Sequence, residues 1–370
     1  MPEERVSWKD SNLALIGSKL DHQVKEAAAG LEPAWDGIGI SVSKKIWRIE
    51  QFKVVAWPEE KYGTFHTGDS YIVLNTYQKS EDEPALYHDV HIWIGEESSQ
   101  DEYGTAAYKM VECDDSLHGA PVEHREIQGF ESALFISYFD KPITYLLGGV
   151  ETGFTHVEPT VADPNLYRVR KTHKDIMTLT QLSLSKSSLN QGDSFILYDG
   201  AEKVWVWHGA SATGMEKFKA NTTAESMATE CTVSTLESDD TDEAFWAFFG
   251  DEGEIQGPIE DEVGTVTEFA PILYKLPGDG EPIEIAKAEN AMSSAESCFD
   301  RSLLDDSDVF LLDCGWELFI WIGDGADKSE KIHGVAKGQN YSKSDPRTMS
   351  LPMTLLKAGQ ESTKFDAYFN

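Results

Sequence analysis

The stretch GDSYIVL at residues 68–74, followed by HIWIG at 91–95 and then by Glu102, occurs in this chain in three related copies. The second copy reads GDSFIL at 192–197, VWVWHG at 204–209 and Glu216, and the third reads SDVFLL at 307–312, LFIWIG at 318–323 and Glu330. In every copy the glutamate follows the glycine of Trp-X-Gly by seven residues. Asp69, Asp193 and Asp308 are 124 and 115 residues apart, so the repeating unit has the size of a domain.

The 370 residues therefore divide into three predicted domains that follow a short N-terminal extension. The predicted boundaries are 1–40 for the extension and 41–157, 158–262 and 263–370 for the three repeats. Hydrophobic periodicity predicts strands in each repeat and a helix after each Trp-X-Gly strand, at 99–117, 214–228 and 327–341, with a further short helix at 21–29. Sheets mixed with helices that follow strands predict α+β domains in tandem.

The composition is strongly acidic, with 65 Asp and Glu against 31 Lys and Arg and a formal net charge of −34. Such a chain is a poor partner for nucleic acid, because phosphate contacts need clustered basic residues. No apolar run is long enough to span a bilayer, and four cysteines without CxxC spacing indicate a reduced, cytosolic protein. The chain contains no P-loop, nucleophile elbow or dinucleotide fingerprint, so it is predicted not to be an enzyme.

Each recurring glutamate has an ordinary structural explanation and a functional one. The pairs Ser99/Glu102, Thr213/Glu216 and Asp327/Glu330 each match a helix capping box, and Gly-Asp before an apolar strand is a common turn. However, a strand-start Asp and a helix-start Glu recur together at three matching places, which suggests that they converge. Carboxylates and turn carbonyls are the oxygen ligands that calcium takes. The threefold recurrence therefore favours calcium binding over a coincidence of caps and turns.

The helix predicted at 99–117 is apolar on two faces. Its core stripe comprises Tyr103, Ala106, Met110, Cys113 and Leu117, and a second stripe comprises Gly104, Ala107, Tyr108 and Val111. A helix of this kind is either deeply buried or presents a docking surface. The helix ends in Asp114 and Asp115, where the helix dipole disfavours negative charge, and a bound cation would offset that cost.

These features, together with the stretch HREIQGFES at 124–132, resemble the gelsolin family of actin-regulating proteins. Three repeats preceded by WKDSNLAL at 8–15 resemble the severin and fragmin type within that family. The resemblance implies three tandem gelsolin-like domains, each a mixed central sheet flanked by one long and one short helix. It also implies a cytoplasmic, cytoskeletal protein, monomeric when free, that severs actin filaments and caps their barbed ends when calcium rises, with filament nucleation as a further activity.

The resemblance further implies Ca²⁺ as the cofactor and a set of ligands for it. One ion in the first repeat would be bound by the Gly68 carbonyl, Asp69, Glu102 and the Val150 carbonyl, and a second, shared with an actin carboxylate, by Asp114 and the carbonyls of Gly119 and Pro121. The second repeat would use Gly192, Asp193, Glu216 and Asp261, and the third would use Ser307, Asp308 and Glu330.

Partner surfaces are implied in the same way. The stripe of Gly104, Ala107, Tyr108 and Val111 corresponds to the family's actin-binding helix, and Arg168, Arg170 and Lys171 correspond to its filament-side contact. Arg168, Arg170, Lys171 and Lys174 are candidates for binding phosphoinositides, although Tyr145, Leu146 and Leu147 replace basic residues of another lipid-binding run in the family. A disulfide of secreted members cannot form, because Ser194 and His208 occupy the cysteine positions.

Three alternatives accompany this interpretation. The chain would be a capping protein that does not sever, a passive calcium buffer without an actin target, or an enzyme of unknown type. The second apolar stripe speaks against a passive buffer, and the lack of a catalytic motif speaks against an enzyme.

Overall fold

The computed structural model describes residues 32–80, 82–150, 164–171, 176–228, 231–250, 253–259, 268–360 and 362–370. The helix predicted at 21–29 and the stretch at 8–15 lie outside these ranges. Among the described residues, every helix is too short or too polar to cross a membrane.

Seventeen strands and seven α-helices make up the described fold. The strands are β1 Ser43–Glu50, β2 Lys53–Ala56, β3 Thr64–His66, β4 Ser70–Tyr77, β5 Tyr87–Ile94, β6 Val122–Ile127, β7 Ile143–Leu146, β8 Asn165–Lys171, β9 Met177–Leu182, β10 Ser194–Tyr198, β11 Lys203–His208, β12 Thr232–Glu237, β13 Ile272–Lys275, β14 Ile283–Lys287, β15 Val309–Asp313, β16 Leu318–Ile322 and β17 Met353–Lys357. The helices are α1 Gln100–Ser116, α2 Ala133–Ser137, α3 Gly214–Met227, α4 Glu243–Trp246, α5 Lys328–Ser342, α6 Pro346–Met349 and α7 Thr363–Asp366.

Each repeat builds the same five-stranded module. The strand order is β2-β1-β4-β5-β6 in the first repeat, β9-β8-β10-β11-β12 in the second and β14-β13-β15-β16-β17 in the third. In all three modules the last strand follows the long helix and pairs in parallel with the Trp-X-Gly strand, while the other pairs are antiparallel. The predicted α+β class and the mixed central sheet are therefore confirmed.

The fold divides into two compact units. The first unit comprises the described residues within Met1–Glu60, Asp69–Phe135 and Val263–Asn370, and so contains the sheets of the first and third repeats. These two sheets join edge to edge, because β6 pairs antiparallel with β17 through Glu123, His124 and Arg125 opposite Leu355, Thr354 and Met353. The result is one ten-stranded sheet.

The second unit comprises the described residues within Lys61–Gly68 and Ile136–Glu262. Its seven-stranded sheet contains the module of the second repeat, extended by β7 and β3 beyond β9. The predicted repeat boundaries at 157/158 and 262/263 fall in ranges that the structure does not describe, so these boundaries stay predictions.

The long helix of each repeat covers one face of its sheet, and a short helix covers the other. In the second repeat, Ala220 and Ala224 of α3 pack against Ile196 and Val206, whereas Phe245 of α4 packs in the cluster on the opposite face. The third repeat has the same layers, with α5 in one apolar cluster and α7 in the other. This arrangement places the start of each long helix beside the start of the Asp-bearing strand.

Candidate functional site

The recurring Asp and the recurring glycine are joined by a backbone hydrogen bond in every repeat. Gly95, Gly209 and Gly323 donate their N–H groups to the carbonyls of Asp69, Asp193 and Asp308 over 3.0, 3.0 and 2.9 Å. Glycine is required where the chain passes this close, because a Cβ at Gly323 would lie 2.0 Å from the carbonyl oxygen of Asp306. The Trp-X-Gly element therefore fixes the turn that presents the aspartate.

The recurring glutamates cap the long helices. Ser99, Thr213 and Asp327 are the N-caps of α1, α3 and α5, and in each helix the glutamate side chain accepts from the N-cap backbone N–H. The ordinary explanation offered by the sequence is thus confirmed in all three repeats. It does not exclude ligation, because a capping box uses one carboxylate oxygen and a carboxylate has two.

A basic side chain faces the recurring aspartate in every repeat. The Nη2 atom of Arg48 lies 2.6 Å from Oδ2 of Asp69, and the Nζ atom of Lys275 lies 2.6 Å from Oδ2 of Asp308. Arg168 takes the equivalent position at Asp193, with Nε 3.9 Å from Oδ2.

These three basic residues occupy the same register. They are Arg48, Arg168 and Lys275, and each pairs across the ladder with the second residue after the aspartate, which is Tyr71, Phe195 or Phe310. Each repeat therefore places an internal cation against the carboxylate for which the sequence implies calcium.

The second repeat brings its two predicted carboxylates together. Asp193 and Glu216 are both buried. Burial raises the pKa of the Asp193 carboxyl, Glu216 raises it further, and Asn190, Arg168 and Arg170 act in the opposite direction. The charge of Glu216 therefore acts on Asp193, and the convergence of the two carboxylates on one calcium ion stays a prediction.

The turn and the helix start around this pair are held by further hydrogen bonds. The amide nitrogen of Asn190 donates to Oδ2 of Asp193 over 2.7 Å, and its Oδ1 accepts from the backbone N–H of Gly192. The other oxygen of Glu216, Oε1, accepts from the backbone N–H of Lys171. Asp261, the fourth predicted ligand, lies outside the described residues.

The first and third repeats present their predicted ligands less completely. In the first unit, the Ser70 and Ser98 hydroxyls lie 2.9 Å apart, and Ser98 also reaches Glu102, so a hydroxyl chain connects the Asp69 turn to the helix start. The predicted carbonyl ligands Gly68 and Val150 belong to the second unit.

In the third repeat, Asp308 is nearly buried and Glu330 is half-buried. Ser307, whose backbone carbonyl is the third predicted ligand, donates its hydroxyl to Oδ1 of Asp305 over 2.8 Å. The convergence of these ligands in the first and third repeats stays a prediction.

The ligands predicted for a second ion in the first repeat meet at the C-terminal end of α1. The backbone N–H of Gly119 donates to the carbonyl of Asp114 over 3.0 Å, which folds the chain back beneath the carboxylate. The Nζ atom of Lys357 lies 3.0 Å from the carbonyl oxygen of Gly119 and 3.5 Å from Oδ2 of Asp114. The Lys357 ammonium thus already contacts these oxygens. A carboxylate and backbone carbonyls are also the ligands that suit a calcium ion.

The two faces of α1 are confirmed in part. Ala106, Met110 and Cys113 are buried in the core of the first repeat. On the second stripe, Tyr108 and Val111 are half-buried. Apart from the two chain neighbours and the backbone of α1 itself, no described atom lies within 4 Å of the position that a Cβ would take at Gly104. Docking of actin on this stripe stays a prediction.

The basic run of the second repeat has a structural role beside its predicted functional one. The Nε atoms of Arg168 and Arg170 each lie 3.9 Å from a carboxylate oxygen of Asp193. Both arginines therefore compensate the charge of this aspartate, in addition to their predicted role in binding a partner. Lys174 lies outside the described residues. Ser194 and His208 pair across β10 and β11 and are joined by a 2.9 Å hydrogen bond, which fills the place of the disulfide that the resemblance associates with secreted members.

One further group of potential metal ligands is present among the described residues, formed by His91, His124 and Glu126. The two imidazole rings are stacked, with centroids 4.2 Å apart and an interplanar angle of 12°. Nitrogen lone pairs lie in the ring plane, so stacked rings do not direct them at one point. His91 bonds Glu126, and His124 bonds Thr354 and Asp89. The group is a hydrogen-bonded network that connects β5, β6 and β17.

Comparison with known proteins supplies the family. The Gelsolin repeat model matches residues 51–136 and 292–362. The chain is 37% identical over 367 residues to gelsolin-like protein 2 of Lumbricus terrestris, with 98% of this chain and 97% of the relative covered. It is 33% identical to severin of Echinococcus granulosus, with 94% and 93% covered.

A third relative is the actin depolymerising venom protein gelsolin 1 of Platymeris rhadamanthus, which is 33% identical, with 92% of this chain and 91% of the relative covered. Repeats that share one strand order, one aspartate turn and one capped helix agree with these matches over nearly the whole length of the relatives. The chain is a member of the gelsolin family.

Proposed function

We propose that this chain binds actin, severs actin filaments and caps their barbed ends, and that calcium switches these activities on. Membership of the gelsolin family supports the actin-directed activities, and one relative of similar length is named as an actin depolymerising protein. Such a role corresponds to a cytoplasmic location at the actin cytoskeleton. The absence of enzymatic activity stays a prediction.

Calcium control rests on one observation, the recurrence of a basic side chain at the same register against each predicted calcium carboxylate. A carboxylate that is mostly or fully buried needs a positive partner, because an isolated buried charge is costly. Without calcium, Arg48, Arg168 and Lys275 supply it. With calcium, the divalent ion takes over that role, and the freed side chain moves. At each site, calcium binding would then alter the contact between the strand that carries the aspartate and the neighbouring strand that carries the basic residue.

The sheet that joins the first and third repeats can couple calcium binding to the release of the first repeat. Repeats 1 and 3 are connected by three ladder positions between β6 and β17, and α1 belongs to the module that this junction holds. A ligand shifts a conformational equilibrium only by its differential affinity for the two states. Calcium ions that bind the separated modules more tightly would therefore release the first repeat for docking on actin.

Imaging of single fluorescent actin filaments tests the proposal. Filaments mixed with the full chain at micromolar calcium should break along their length and stop growing at barbed ends, and filaments in chelator should do neither. Capping without breakage would favour the alternative of a capping-only protein. Filaments that are unaffected at every calcium concentration would remove the proposal.

A further inference from the structure

We propose that Lys357 and Gln360 are a built-in occupant of the cation site formed by Asp114 and the carbonyls of Gly119 and Pro121, which an ion shared with actin must displace. This inference rests on the proposed function, because the sequence assigns that site to calcium only through the family. It adds residues from the third repeat that compete with calcium directly, beyond the opening of the sheet junction.

The contacts match the predicted ligands one by one. The Lys357 ammonium reaches Oδ2 of Asp114 and the carbonyl of Gly119. The Gln360 amide nitrogen donates to the carbonyl of Pro121 over 2.9 Å and to that of Ala120 over 3.1 Å. Each of the three residues predicted to bind this ion therefore already accepts a hydrogen bond, through its ligand oxygen, from a side chain of the third repeat.

The two donor side chains are held in place by their own turn. Lys357 is the last residue of β17, and its backbone N–H donates to Oε1 of Gln360 over 2.7 Å. The backbone N–H of Gln360 donates in turn to the Lys357 carbonyl. This reciprocal pair orients the Gln360 amide nitrogen toward the loop at 120–121, so little side-chain freedom remains to be lost on contact.

The recipient loop is shaped for close contact. Gly119 has a φ of +73°, and a Cβ at this position would lie 3.2 Å from the Lys357 ammonium. The site lies at the C-terminal end of α1, where no basic residue is present in the last turn of the helix itself. The carbonyl end of a helix favours a positive charge, so the ammonium compensates both Asp114 and the helix dipole.

Calcium and the ammonium cannot share these oxygens. Calcium binds oxygen at about 2.3–2.6 Å, and the ammonium already lies 3.0 Å from the Gly119 carbonyl. Two cations on one set of ligands would repel each other. The apparent calcium affinity of the site is therefore reduced in proportion to the fraction of molecules in which Lys357 and Gln360 occupy it. Release of the third repeat and binding of calcium at this site then become one coupled step.

The test compares Lys357→Met with Lys364→Met in the full chain. Both lysines have side chains 38% exposed, and each pairs with a nearly buried carboxylate, Asp114 for Lys357 and Glu317 for Lys364. Loss of a partly exposed ion pair should lower the calcium concentration for half-maximal binding of actin monomer by about two- to fivefold in Lys357→Met. Lys364→Met should leave this concentration at the wild-type value.

A second readout requires no actin. Hydrogen exchange in chelator should accelerate by a similar factor at the amides of β17 in Lys357→Met, because the closed state has lost a contact. Gln360→Ala should shift both readouts in the same direction, and it carries the test if Lys357→Met does not fold.

Equal calcium midpoints and exchange rates for Lys357→Met, Gln360→Ala and Lys364→Met would overturn the inference while leaving calcium control intact. A wild-type protein whose actin binding ignores calcium would overturn the proposed function, and the inference with it.

Discussion

The Lys275 ammonium lies 2.6 Å from Oδ2 of Asp308, and this ion pair has a counterpart at the same register in both other repeats. Lys275 is the most exposed of the three basic residues, at 35% of its side chain. It can therefore be replaced with the least disturbance of the core. The pair offers a direct measurement of how strongly an internal cation opposes calcium.

Replacing Lys275 by Met should raise the calcium affinity of the third repeat. The calcium-free state loses its ion pair with Asp308, whereas a calcium-bound state no longer uses it. A partly exposed pair is worth about 0.2–1 kcal/mol, so the affinity should rise by about one-and-a-half- to fivefold, as measured by calorimetric titration. Lys287→Met on the neighbouring strand β14 is the control, since this exposed lysine lies opposite Ile272. An affinity unchanged from the control would show that Lys275 does not compete with calcium.

Replacing Glu216 by Gln should separate the capping role of this residue from ligation. Glutamine also completes a capping box, but it has only one acceptor oxygen, whereas Glu216 accepts from Thr213 with Oε2 and from the backbone N–H of Lys171 with Oε1. The Lys171 hydrogen bond is therefore lost, and the thermal midpoint in chelator should fall slightly. Calcium affinity of the second repeat should fall by about an order of magnitude, because ligand charge sets the affinity of such sites.

Glu216→Ala provides the matched comparison for the cap. It removes the cap as well as the ligand, so the stability of the calcium-free protein should fall below that of Glu216→Gln by about a further 1 kcal/mol. Calcium titrations of Glu216→Gln that superimpose on those of the wild type would identify Glu216 as a helix cap only.

Local patterns in the sequence predicted the local structure well. The long helices begin and end within one or two residues of the predicted positions. The capping boxes were also predicted, because Ser-X-X-Glu and its equivalents act over a single helical turn. Periodicity within one element carries this kind of information.

The partners of the aspartates could not be predicted in the same way. Arg48, Arg168 and Lys275 precede their aspartates by 21, 25 and 33 residues, because the hairpins between them differ in length. Their equivalence appears only in the ladder register. Lys357 is 243 residues from Asp114, so nothing in either segment alone indicates the contact.

Replacing Val111 by Asp should weaken binding of actin monomer by about tenfold or more. Val111 is half-buried on the second stripe of α1, and an unpaired charge inside an apolar interface is costly. Val233→Asp, on β12 of the second repeat, introduces the same charge at a valine that is 36% exposed and should leave monomer binding unchanged. Cosedimentation and calorimetry measure the affinity. Wild-type affinity in Val111→Asp would exclude this stripe as the docking face.

Acid should destabilise the calcium-free protein through His91. This residue is fully buried on β5, stacked on His124 and within 5.3 Å of the Phe135 ring. Burial lowers the pKa of His91, and His124 lowers it further, while Glu126 and Asp89 oppose the shift. In the unfolded chain His91 therefore binds a proton below about pH 6.5, whereas in the folded chain it stays neutral to a lower pH. Stability is highest above that pH and falls as the pH decreases.

The slope of this loss should approach ~1.4 kcal/mol per pH unit below pH 6.5. His91→Gln keeps a polar group beside Glu126 but does not titrate, so its thermal midpoint in chelator should vary less between pH 7 and pH 5. His333→Gln alters an exposed histidine of α5 and should retain the wild-type profile. Glutamine cannot take up a proton, so it contributes nothing to the difference in proton binding between the folded and unfolded states. If the thermal midpoints of the wild type and of His91→Gln fell equally between pH 7 and pH 5, the acid sensitivity would belong to groups other than His91.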